Sequence, residues 1–123
     1  RTLLFVAIGG MIGAVSRWGL LEILPDDNSW PWQIFIVNMT GSFILGFIVS
    51  KPFQRLSPRS ISALATGLCG SFTTFSMFSL DVTELLRSNQ ITAAWTYLGL
   101  SVIGGLILFS LSYSFSNRVG VSK

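Results

Sequence analysis

Apolar residues run almost unbroken over four stretches of the chain, Leu3 to Leu21, Trp32 to Ser50, Ile61 to Leu80 and Trp95 to Phe115, with short polar segments between them. About 20 mostly apolar residues in helical form cross a bilayer core. Each stretch therefore predicts one spanning helix, at approximately 3–21, 32–50, 61–80 and 95–115, and residues 1–123 predict a single transmembrane domain of the all-α class. The breaks are chemically marked. Pro25, Asp26, Asp27 and Pro31 fall in the first, and Lys51, Pro52, Arg55, Pro58 and Arg59 in the second. Ser57 ahead of Pro58 and Ser60 ahead of Ile61 are candidate helix starts, while Asp81, Thr83 and Glu84 predict that the third segment closes there into a short amphipathic connector. The first stretch is long, contains glycines and is followed by acidic residues without a small-residue cleavage pattern. It predicts a retained helix.

Composition sharpens this picture. At 50% hydrophobic and 11% charged, with a mean hydropathy of +0.66, the chain is too apolar for a soluble domain of 123 residues. The connectors are too short to hold a catalytic domain, so the chain is expected to act within the bilayer and not as an enzyme. Cys69 is the single cysteine and histidine is absent, which excludes a disulfide framework and a zinc site. A net charge of +3 could suggest nucleic acid, but the bases sit at helix ends and not in a patch interleaved with aromatics. Topology accounts for them better. With the N-terminus cytoplasmic, Arg1, Lys51, Arg55, Arg59, Arg118 and Lys123 lie on that side, against Arg87 on the other, and the positive-inside rule places both termini inside.

Small residues recur at four-residue intervals: Gly9 and Gly13, Ser42 and Gly46, Ser101 and Gly105. Such rows let helix backbones approach closely in lipid. Polar side chains within a membrane face a bundle interior or a cavity. Asn38 stands in the second stretch with Ser42 and Gly46 at helical spacing; its amide either bonds a neighbouring helix or serves a pathway. Tyr97, Ser101 and Gly105 form a similar stripe on the fourth. Arg17, near the end of the first, either anchors at the headgroups or concentrates anions at an entrance.

The third stretch is the most polar. From Gly67 to Asp81 it is dense in Gly, Ser and Thr, and the Gly70-Ser71 pair followed by Thr73-Thr74 predicts a broken helix. Non-helical backbone at that depth survives only where it is buried or lines water, and carbonyls so freed suit a monovalent cation such as Na⁺. An unbroken helix with back-bonded hydroxyls is the competing reading. Phe75 and Phe78 share a face, with Ser76 and Ser79 beside them. Ring edges are positive and hydroxyls donate, and no Asp, Glu or Lys lies near the middle of any stretch, so the pattern favours an anion over a cation.

These residues resemble the Fluc (CrcB) family of fluoride channels. The likeness is carried by Gly9-Gly10-Met11-Ile12-Gly13-Ala14 with Arg17, by Val37-Asn38 with Gly41-Ser42-Phe43, and by Gly67-Leu68-Cys69-Gly70 running into Thr73-Thr74-Phe75-Ser76-Met77-Phe78-Ser79. The resemblance implies four transmembrane helices with a break in the third, and an antiparallel, dual-topology dimer with two pores at its interface. It implies export of fluoride from the cytoplasm across the bacterial plasma (inner) membrane. Asn38, Phe75 and Phe78 would contact fluoride, with Thr74, Ser76, Ser79, Tyr97 and Ser101 as supporting donors and Arg17 in the vestibule. The carbonyls of Gly70 and Thr73 would hold a structural Na⁺ at the dimer centre. The partner would be a second copy of the chain or, given its basic asymmetry, a paired homologue of opposite orientation. Ser71, Asp81 and Gly105 depart from residues commoner in the family. Two other readings stand beside it: a small four-helix proton-coupled transporter, for which no membrane-embedded acid is present, and a non-conducting assembly subunit.

Overall fold

A computed structural model describes residues 1–26 and 30–121; Asp27 and Lys123 of the charge pattern lie outside them. The described residues are helical, without strands: α1 is Thr2–Ile23 and α2 is Trp32–Ile48, followed by a 3₁₀ turn at Lys51–Arg55. Residues 58–72 form one helical run, α3, that opens at Pro58–Ser62, widens to π geometry over Ala63–Cys69 and closes at Gly70–Phe72. Then come α4, Phe75–Arg87, and α5, Ile91–Val121.

Two small polar clamps fix the ends of this up-and-down arrangement. At one end Gln33 Nε2 donates to the carbonyls of Leu21 and Leu24, 3.1 and 2.9 Å away, satisfying acceptors that the C-terminus of α1 leaves open. At the other, the Ser50 and Ser116 hydroxyls meet at 2.7 Å while the Lys51 N–H donates to Asn117 Oδ1 at 2.7 Å. Ser50 and Ser116 are both buried. The turn after α2 is thereby held against the last turns of α5, with exposed Lys51, Arg55 and Arg118 on the same end. Asp26, Asp81 and Glu84 lie together at the opposite end.

The rows of small residues are where helices touch. A Cβ on Gly9 would come 2.1 Å from the Ala63 carbonyl oxygen, one on Gly13 2.2 Å from that of Leu68, and one on Gly67 2.4 Å from that of Val6. α1 and the π-helical part of α3 therefore pack backbone against backbone. Between α2 and α5, a Cβ on Gly46 would sit 1.9 Å from Ser112 Oγ, and one on Gly105 3.3 Å from Ser42 Oγ. In lipid, dispersion contacts of this kind replace the hydrophobic drive that water supplies. The outer faces carry exposed Leu3, Met11, Val15, Trp18, Ile103, Leu106 and Leu111, as expected of a surface solvated by acyl chains.

Helix boundaries differ from the hydropathy pattern in instructive ways. Ser57 caps α3 by accepting the Ser60 N–H at 3.2 Å, so the helix starts at Pro58 and not at Ile61. The third segment does not close at Asp81: Thr83 Oγ1 bonds the Ser79 carbonyl at 2.9 Å and α4 runs on to Arg87. It stops in a Schellman turn, with Asn89 at φ 60°, Gln90 N–H on the Leu85 carbonyl at 2.9 Å and Asn89 N–H on that of Leu86 at 3.2 Å. α5 begins at Ile91, ahead of Trp95, and extends past Phe115. Thr2–Ile23, the span 58–87 and Ile91–Gly120 are long and apolar enough to cross a membrane, and α2 is a shorter apolar helix.

Gly13→Leu would drive a side chain into the Leu68 carbonyl, at a cost of about 3 kcal/mol or more. It is expected to abolish the monodisperse peak on size-exclusion chromatography in detergent. Gly99→Ala, with nothing within 4 Å of the added carbon, should run like the parent.

Candidate functional site

The helical path is interrupted between α3 and α4. Thr73 (φ −81°, ψ 159°) and Thr74 (φ −146°, ψ 115°) are extended, whereas Gly70 and Ser71, the pair from which the sequence pattern starts its break, remain helical. β-Branching at both threonines suits extended backbone. Gly41 of α2 makes room: a Cβ there would lie 2.1 Å from Thr73 Cγ2.

Asn38 repairs the interruption. Its Oδ1 accepts the Thr74 N–H at 3.0 Å and its Nδ2 donates to the Thr74 carbonyl at 3.2 Å, so one side-chain amide pairs with both polar groups of one residue. Of the two possibilities for Asn38, the structure shows the first. Asn38 bonds a neighbouring segment, and one of its two amide protons stays uncommitted to Thr74. Thr74 Oγ1 takes the Met77 N–H at 3.2 Å, capping α4, and Thr73 Oγ1 donates back to the Cys69 carbonyl at 3.0 Å.

The carbonyls at the end of α3 lose their helical donors in this exchange, those of Gly70 and Thr73 among them. In a continuous helix the Thr74 N–H would close on the Gly70 carbonyl and the Met77 N–H on that of Thr73. Here both donors are diverted, to Asn38 Oδ1 and Thr74 Oγ1. Gly70 is exposed, with open space where a Cβ would stand.

An open groove of about 400 Å³ lies over the interruption. It gathers Asn38, Gly70, Thr73, Thr74, Phe75, Phe78 and Ser101, together with Ser42 and Gly41. Phe75 is 79% exposed and Phe78 only 8%, with ring centroids 5.9 Å apart. Phe75 projects off the chain and Phe78 packs inward. Ser76 is exposed, its Oγ 3.3 Å from Thr74 Oγ1, and Ser79 is half-buried; neither lines the groove. Arg17, half-buried on α1, lines neither this groove nor the cavity described next.

Tyr97 is fully buried and stands behind the groove, not in its wall. Its hydroxyl donates to Asp81 Oδ2 at 3.2 Å. Beyond it opens a second cavity of about 430 Å³, lined by Trp30, Trp32, Gln33 and the acids Asp26, Asp81 and Glu84. Trp30 and the Tyr97–Asp81 bond were not legible from helical spacing, because they join segments distant in sequence. The Trp30-Pro31-Trp32 cluster at the head of α2 carried the available signal, an aromatic anchor at a membrane interface.

Residues 4–113 match the family described as CrcB-like protein, Camphor Resistance (CrcB). The chain is 37% identical to the fluoride-specific ion channel FluC of Ignicoccus hospitalis, over 97% of this chain and 98% of that protein. Identity is 38% to FluC of Methanococcus aeolicus, covering 88% and 89% of the two chains, and 35% to FluC 2 of Listeria innocua, covering 94% and 91%. With apolar helices of spanning length, a family match over nearly its whole extent and relatives aligned almost end to end, this membrane protein belongs to the CrcB family.

Proposed function

We propose that the chain forms a passive, fluoride-selective channel and not an enzyme, exporting fluoride from the cytoplasm across a plasma membrane, which is the inner membrane if the host is a bacterium. One observation carries the reading: a groove holding diverted backbone, an amide and hydroxyls opens on the outer surface of an otherwise apolar bundle. Lipid cannot satisfy those groups. A second subunit laid antiparallel over the groove would, and the exposed Phe75 and Gly70 would then meet it. That partner is a second copy or a paired homologue; the segregation of Lys51, Arg55, Arg59 and Arg118 from Asp26, Asp81 and Glu84 favours a homologue of opposite charge bias.

The carbonyls of Gly70 and Thr73 fit a Na⁺ ion in donor type, since both are oxygens released from helical bonding and Gly70 is uncrowded. When bound, the ion would supply fixed positive charge that ties diverted carbonyls of the two subunits together. The anion path would use other groups. Phe75 and Phe78 offer positive ring edges, and the spare Asn38 amide proton and the hydroxyls of Thr74, Ser76, Ser79, Ser101 and Tyr97 offer donors. None carries a full charge. Many weak sites in series let an ion enter without being trapped, which is what conduction requires. Arg17 would raise the local anion concentration at a mouth.

Reconstituted in liposomes, the chain, alone or with its partner homologue, should pass fluoride without a proton gradient and reject chloride. Equal passage of both ions would end the selectivity claim, a proton requirement would favour a coupled transporter, and no flux with any partner would favour an assembly role. Phe75→Ile and Phe78→Ile should each slow fluoride by about tenfold or more, the ring contribution being about 1 kcal/mol or more; the exposed Phe75 should lose little stability, whereas Phe78→Ile, in the buried cluster, should also lower the melting temperature. Asn38→Ala should differ in kind: it strands the Thr74 N–H and carbonyl at about 1–3 kcal/mol each and lowers the melting temperature as well as the flux. Thermal unfolding in detergent should be later in Na⁺ than in choline, and identical curves would remove the cation site.

A further inference from the structure

The hydrogen bonds that close the turn after α2 also bring two bases together. The Lys51 N–H donates to Asn117 Oδ1 at 2.7 Å, beside the buried contact of the Ser50 and Ser116 hydroxyls, so Lys51 is fixed next to Arg118 from the far end of the chain. Pro52 pins the same turn: a Cβ on Gly120 would come 2.4 Å from its Cγ. Both basic side chains are exposed. Held in this way they repel, and the acids of the chain are elsewhere. Among the described residues, Asp26, Asp81 and Glu84 line the cavity at the opposite end, and Glu22 lies in the last turn of α1, whose closing carbonyls Gln33 binds at that same end. The 17 residues of α2 put that end about 25 Å away, several times the Debye length of about 8 Å in physiological salt. Neutralising Lys51 and Arg118 therefore falls to an anion from outside the described chain.

What lies below the pair selects the kind of anion. Leu111, Phe115 and Arg118 follow at spacings of four and three and so share one face of α5. Phe115 and Leu111 are each 60% exposed. The Phe115 ring stands edge-on to Phe47 at 6.3 Å and 80°, and Phe47 belongs to the last turn of α2, which leads into Lys51. An exposed apolar column thus descends from two adjoining cations. A soluble anion would use only the top of it, whereas a molecule with an anionic head and a hydrocarbon tail matches all of it.

We propose that Lys51 and Arg118, above Phe115 and Leu111, form a docking surface for an anionic phospholipid. The phosphate bridges the two cations and an acyl chain lies along the apolar face of α5. Bases just outside a spanning helix are drawn to the anionic lipids of the cytoplasmic leaflet, the side on which the charge asymmetry sets this end. A zwitterionic lipid carries the same phosphate, but its own ammonium group cancels the net charge and weakens the attraction. The surface shares no residue with the groove, so the proposal holds whichever ion the groove serves.

The test is native mass spectrometry of the chain in detergent, titrated with phosphatidylglycerol or phosphatidylcholine, each variant first shown to elute as one peak. The parent should bind phosphatidylglycerol about tenfold or more tightly than phosphatidylcholine. K51Q and R118Q should each weaken phosphatidylglycerol about fivefold, the contribution of one base near an anionic surface, and K51Q/R118Q should bring it to about the phosphatidylcholine level. The clamp on Asn117 uses the Lys51 backbone N–H, so it survives these changes; where the double variant does not elute as one peak, the single variants carry the test. R87Q removes an exposed base at the acidic end and should stay within about twofold of the parent. Glycerol phosphate, a headgroup without chains, should not displace the lipid at equal concentration. Equal binding of the two lipids, parent-like binding in K51Q/R118Q, or an equal loss in R87Q overturns the proposal. Displacement by glycerol phosphate overturns it in favour of a soluble anion. Loss of an oligomer in K51Q/R118Q with lipid binding intact overturns it in favour of the acids of a second subunit.

Discussion

The pairing of Asn38 with Thr74 is the interaction on which the rest of this molecule depends. A chain in hydrocarbon has no water to satisfy a broken helix, and each stranded backbone group costs about 1–3 kcal/mol or more. A primary amide carries an acceptor oxygen and a donor nitrogen side by side, so it can accept from an N–H and donate to a carbonyl of the same residue at once. Placed on α2, opposite the interruption, it substitutes for a lost helical turn at Thr74. The extended threonines can then exist at a depth where they otherwise could not.

Everything nearby accommodates that exchange. Gly41 leaves the hollow that Thr73 fills, and Thr74 caps the helix it precedes. Gly9, Gly13 and Gly67 bring α1 against the widened turns of α3, which buttresses the upstream half of the broken segment. Downstream, α4 is fixed by the buried cluster of Ile34, Phe78, Leu85, Ala94 and Tyr97. The two halves are anchored to different neighbours. Their junction therefore keeps its geometry although the Thr73 N–H, on the Cys69 carbonyl, makes its last helical bond.

The site is built from side chains and backbone without formal charge, while formal charge is moved to the two ends: bases with the α2–α3 turn and the end of α5, acids around Trp30. Full charges near the middle would be costly in lipid and would bind an ion too tightly to release it. Weak donors and ring edges avoid both penalties. The remaining exposed polarity of the groove is the observation that supports the proposed partner subunit.

Several apolar helices suited to spanning a membrane, the helical class and the contact role of the glycine rows all follow from the residues in order, because hydropathy and close-packing spacing are local properties. So does the suspicion of a break in the third segment, since Gly, Ser and Thr cluster there. Its position was not local: Gly70 and Ser71 stay helical because nothing opposes them, and the chain opens at Thr73 and Thr74 because Asn38 and Gly41, on another helix, receive those residues. Nor could spacing foresee that Phe75 projects outward while Phe78 turns inward, that Ser76, Ser79, Tyr97 and Arg17 stand outside the groove, or that Tyr97 gives its proton to Asp81. Those outcomes depend on which neighbours each face meets, and only tertiary packing brings segments far apart in sequence within hydrogen-bonding distance.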